Sequence, residues 1–158
     1  MAEISDYISG KILDQVKMAF TVLDSSPGSL ADTDIGKMMV KSVKKFEAMI
    51  LTPDKAKNFI TESASCASGQ RVCIKLFPES PYTESIFLDE LANAMVEAGQ
   101  AKYVTKEEAF AVMDKYESHP IIISKVSGKY AEICRTWPDK CLYWNMEKKG
   151  LHCLEKSL

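Results

Sequence analysis

The chain has 158 residues, with 20 Lys and Arg against 22 Asp and Glu and a hydrophobic content of 46%. That near-neutral balance supplies no bulk attraction to nucleic acid or to an anionic membrane, and no run approaches the ~18 apolar residues of a membrane span. A chain of this length buries roughly 68–70% of its unfolded surface, so its five cysteines are not needed as staples.

The opening stretch, MAEISDYISGKILDQV, lacks a basic segment followed by an unbroken apolar run. No secretory signal is expected, and the protein reads as cytoplasmic. Thiols stay reduced in that compartment, which favours metal or redox chemistry over disulfides. Ile4, Ile8, Ile12, Val16, Phe20 and Leu23 recur about every fourth residue, the stripe of an amphipathic helix. Ser25, Ser26, Pro27 and Gly28 break it. Ser29 then caps a second expected helix, with Asp32 in its first turn and an apolar face running from Ile35 through Met38, Met39, Val43 and Phe46 to Ile50. Thr52 and Pro53 read as N-cap and first residue of a third helix reaching about Ser63.

From residue 64 the pattern changes. Gly69 lies in an expected loop, and RVCIKLF alternates enough for a strand. TESIFLDELANAMVEAG reads as a helix stopped by Gly99, and AKYV as a short strand. Thr105 and Glu108 make a T-x-x-E capping box at the head of the next helix, which His119 and Pro120 end. PIIISKV and KYAEICR flank Ser127-Gly128, an expected hairpin. Trp137, Tyr143 and Trp144 make the tail too aromatic to hang free. The chain therefore reads as one α+β domain over 1–158. Residues 1–64 form a helical subregion. Residues 65–158 form a mixed subregion with a small antiparallel sheet and a cysteine- and aromatic-rich C-terminal segment.

Cys66 and Cys73 are separated by six residues, and so are Cys134 and Cys141, while Cys153 stands near the end. Each C-x6-C pair spans a turn with Gly or Pro and carries an arginine, Arg71 or Arg135, and a guanidinium nearby stabilises thiolate. Four thiolates converging from the two loops would suit an iron–sulfur cluster or tetrahedral zinc. The basic residues Arg71, Arg135 and Lys140 and the aromatic surroundings place the cluster ahead of zinc. Cys153 is a reserve ligand, with His152 beside it.

The stretch GQAKYVTKEEAFAVMDKYESHPIIISKVSGKYAEIC, residues 99–134, resembles a segment of some ferredoxin-type iron–sulfur proteins. In these a V-[ST]-K-E-E-A helix start, here Val104 to Ala109, precedes an extended segment ending in I-C, here Ile133 and Cys134. The resemblance covers about a fifth of the chain and implies Cys134 as a cluster ligand. The C-x2-C-x2-C run of an ordinary ferredoxin is missing.

Two other readings stand beside a small metal-binding or redox protein. In one, the chain is a non-catalytic helical interaction or regulatory module with structural cysteines. Its N-terminal helices would form the binding or self-association surface, and adjacent Met38 and Met39 are compatible with an adaptable contact, although filling the core is the more usual role of methionine. In the other, it is an enzyme with a reactive cysteine, Cys134 beside Arg135. Phosphate-loop, dinucleotide, metalloprotease and nucleophile-elbow motifs are absent, so the residues leave open whether the protein is an enzyme. Ser80 to Ser85 before the expected helix, and Lys125 with Lys129 at the hairpin, could each meet an anion, though capping and a solvated turn are the ordinary uses. The expected partners are a redox or other protein partner and a second copy of the chain, with neither nucleic acid nor membrane.

Overall fold

The computed structural model describes residues 3–26, 28–70, 76–79, 84–115 and 119–156. The apolar stripe near the N-terminus divides into α1 (Ile4–Ile8) and α2 (Lys11–Ser25). The break is at Gly10, whose φ of 85° is left-handed and cheap only for glycine. The second helix starts later than its sequence suggests. Ser29 lies in the preceding loop, where its hydroxyl donates to the Lys149 carbonyl at 3.2 Å. Thr33 is the cap of α3 (Asp34–Lys44), accepting from the Gly36 N–H at 3.0 Å. Nor does this helix reach Ile50, because Met49–Leu51 turn into strand β1.

Helix α4 (Pro53–Glu62) starts at Thr52 as expected, and strand β2 occupies Cys66–Gln70. Most of the strand expected from RVCIKLF lies outside the described residues. The expected helix over 83–99 is two elements, strand β3 (Glu84–Leu88) and helix α5 (Asp89–Glu97). Ile86, Phe87 and Leu88 are all buried, because β3 is covered on both faces and so reads as an unbroken apolar run rather than an alternation. No breaker separates it from α5. The turn is made by Asp89, at φ 53°, whose Oδ1 accepts from the Ala64 N–H at 2.7 Å.

Strand β4 (Ala101–Tyr103) and helix α6 (Lys106–Lys115) follow. The capping box closes in both directions, Glu108 N–H to Thr105 Oγ1 at 3.1 Å and Thr105 N–H to Glu108 Oε1 at 3.2 Å. Strands β5 (Ile121–Val126) and β6 (Lys129–Arg135) form the hairpin, with Ser127 and Gly128 both at positive φ, as a two-residue turn between twisted strands requires. A 3₁₀ turn at Pro138–Lys140, α7 (Leu142–Lys148) and a short β7 (Glu155–Lys156) complete the chain.

The fold is α+β. Among the described residues seven strands make one sheet in the order β4-β2-β3-β6-β5-β1-β7, antiparallel except for the parallel pair β1–β7. The sheet is therefore larger than the sequence suggests and includes strands from both subregions. Alternating side chains feed two layers of helix. Ile86, Leu88, Ile121, Ile123 and Ile133 face α4 and α6 through Ala56, Ile60, Ala109 and Met113. On the opposite face Ala67 and Phe87 meet α1, α2 and α5, and Ile122 meets α3, α7 and the end of α2. No helix among the described residues is long and apolar enough to cross a membrane.

Candidate functional site, a groove and an inner cavity

The four described cysteines are all free thiols, and they divide between the two faces of the sheet. Cys66 lies opposite Leu88 in register and packs toward α4 and α6; its Sγ donates to the Val104 carbonyl at 3.3 Å. Cys134 lies opposite Ile122 on the other face, with its sulfur 2.9 Å from the Ser85 hydroxyl. Cys141 and Cys153 belong to the core on that second face. Cys73 lies outside the described residues. The sheet thus separates Cys66 from Cys134, and among the described residues no three His, Cys, Asp or Glu side chains converge as a metal ion requires.

The local electrostatics favour thiol over thiolate at two of these positions. Burial pushes Cys66 upward, and burial, with Glu147 and Cys141 nearby, pushes Cys153 up to about 12. Arg135 does not offset this. Its guanidinium points to the face opposite Cys134, where Nε donates to the Met113 carbonyl at 2.7 Å and another nitrogen to the His119 carbonyl. His152 pairs with Glu147 at 3.2 Å and Glu155 at 3.3 Å. Lys125 and Lys129 are held by Glu47 at 3.0 Å and Glu90 at 3.5 Å. Ser85 is a buried strand residue, while residues 80–83 lie outside the described ones.

The concave features are on the second face, between the sheet and α1, α2, α3 and α7. An inner cavity of about 80 Å³ rests on Ile122, Glu132 and Cys134 and is walled by Tyr7, Val43 and Tyr143. Its few polar groups are tied to one another. The Tyr7 hydroxyl donates to Glu132 Oε1 at 3.0 Å, and Tyr143 hydrogen-bonds Ser124. Burial, with the Glu132 carboxylate alongside, pushes both phenols well above the ordinary tyrosine range, so they remain protonated donors. Among the described residues no buried side-chain nitrogen or oxygen lacks a partner.

Ile12, Val16, Val43, Phe46 and Leu142 border this cavity and also the floor of a larger groove of about 340 Å³ between α2 and α3. The groove is lined by Met18, Ile35, Met38 and Met39. Met18 is 70% exposed, Met38 68% and Ile35 48%, which makes them three of the four large apolar side chains exposed among the described residues. Among the described residues no Asp or Glu lines the groove, and the one charged side chain there is Lys45. The adjacent methionines on α3 are the sequence signal for this surface. Met18 carries no signal of its own, because it falls outside the core stripe of α2. Tyr7 and Glu132 carried no signal, because 125 positions separate them.

No protein-family model, curated protein or solved structure matches this chain.

Proposed function

We propose that this protein is a non-catalytic binding module whose groove between α2 and α3 takes an apolar partner. One observation carries the reading: Met18, Ile35 and Met38 are exposed together on that groove. Large apolar side chains scattered singly over a surface need no explanation, whereas a contiguous set beside a depression marks an interaction site. Methionine suits such a site, because its unbranched, polarisable side chain repacks around different shapes. The buried thiols of Cys66, Cys141 and Cys153 act as small apolar core residues.

The test is titration with the neutral fluorophore N-phenyl-1-naphthylamine. The native protein is expected to bind it saturably at one site. A Met18→Asp, Met38→Asp double variant should keep its circular dichroism spectrum and melting temperature, since both side chains are exposed, and should lose the binding. Absence of saturable binding in the native protein, or equal binding by the folded variant, would overturn the reading.

A further inference from the structure

We infer that the occupant of the groove is the single alkyl chain of a free amphiphilic carboxylate, with the chain running into the inner cavity and the head group at Lys41 and Lys45. This rests on the groove being a binding site, as proposed above.

The shape selects the chain. Val16, Val43 and Phe46 line both the groove and, on their other side, a cavity of about 80 Å³ against the sheet, so displacing these side chains is all that joining the two spaces requires. A helix about 10 Å across has no way into that cavity, whereas a single alkyl chain does. Along α2 the groove runs from Ile12 to Val22, about 15 Å at the helical rise, a length suited to a medium or long chain. The cavity walls are almost wholly apolar, and the polar groups at the far end are bonded to each other or to neighbouring side chains. They make no demand for a second polar end on the guest.

Charge selects the head. Among the described residues no acidic side chain lines the groove. Lys45 lines it, and Lys41, exposed one turn earlier on α3, stands on the same edge. Neither lysine forms an ion pair among the described residues. Lys45 Nζ lies 5.5 Å from the centre of the Phe46 ring, at the groove floor. A guest anchored by its chain would therefore have Lys45 and Lys41 within reach of its head and no described carboxylate in the groove lining.

The experiment compares dodecanoate, dodecanol and dodecyltrimethylammonium, each below its micelle concentration, by displacement of N-phenyl-1-naphthylamine from the full chain. Dodecanoate is expected to bind about tenfold more tightly than the ammonium compound at low salt, the swing between two exposed attractions and two repulsions. The Lys41→Glu, Lys45→Glu variant should lose that preference and keep its affinity for dodecanol. Lengthening the carboxylate from octanoate should tighten binding about fourfold per added CH₂ until the cavity is filled. Equal affinity for the two charged probes, an affinity independent of chain length, or tighter binding to anionic vesicles than to free dodecanoate would overturn the inference. Saturable dodecanol binding alongside any of these would leave the binding reading standing. Failure of every probe would sink both.

Discussion

A Cβ added to Gly36 would lie 2.1 Å from the Leu30 carbonyl oxygen and 2.9 Å from the Leu151 side chain. Glycine inside a helix ordinarily costs about 1 kcal/mol relative to alanine, so Gly36→Ala would normally stabilise. Here the sign reverses, because the obstacle is backbone. The substitution is expected to destabilise by about 1–3 kcal/mol, read as a lower urea midpoint with an unchanged slope. It should also weaken probe binding, since the same contact seats α3 at the groove.

Cys153 makes a second prediction at the level of a residue. Its thiol is raised by burial to about 12 from an ordinary value of 9.0. Below pH 9 the thiol is protonated in both folded and unfolded chains, so the full stability is present. Between pH 9 and 12 the unfolded chain loses the proton while the folded one keeps it, and stability falls as pH rises, by at most about 1.4 kcal/mol per pH unit for this one group. Tyr7 and Tyr143, shifted the same way by burial and Glu132, add their own losses where free tyrosine ionises. Chemical denaturation from pH 8 to 11 should show the decline, and Cys153→Ala should make it shallower while lowering the starting stability. A slope unchanged in the variant would assign the alkaline loss elsewhere.

Among the elements, those legible in the sequence were set by neighbours along the chain. Thr105 and Glu108 are three residues apart and bond each other, so the helix start was fully encoded locally. Thr105→Ala should therefore cost about 1 kcal/mol, measurable as a lower melting temperature without loss of probe binding, because α6 packs on the face away from the groove. The start at Thr52 and the Ser127-Gly128 hairpin are local in the same sense. Strand β3 was illegible because burial on both faces erased its alternation. Strand β1 was illegible because it owes its existence to Ile121–Ile123, some seventy positions on. The same limit governed the candidate site. Met38 and Met39 were compatible with an adaptable surface but equally with a core face, and the matched C-x6-C spacing could not reveal that a sheet stands between Cys66 and Cys134.

In the molecule as a whole, α1 closes the inner cavity from the side and is tied across the sheet to the distant hairpin. The Ile4 N–H donates to Ser127 Oγ at 3.1 Å, Ser127 in turn donates to Glu3 at 2.8 Å, and Tyr7 reaches Glu132. Five residues have little helical stability of their own, so α1 holds its place through these bonds and through the packing of Ile4, Tyr7 and Ile8 against the sheet, α2 and α5. Removing residues 1–9 should leave the sheet and the remaining helices folded but uncover the second face where Tyr7 lay. Glu132 would lose the hydrogen bond from its phenol donor. The consequence can be read on the cysteines. Cys134, on the cavity floor, should react faster with a thiol reagent in the truncated protein, while Cys66, on the far face, keeps its rate and serves as the internal control. A uniform rise at both thiols would instead mean that α1 is needed for the global fold, and unchanged rates at both would mean that α2, α3 and α7 seal the cavity without it.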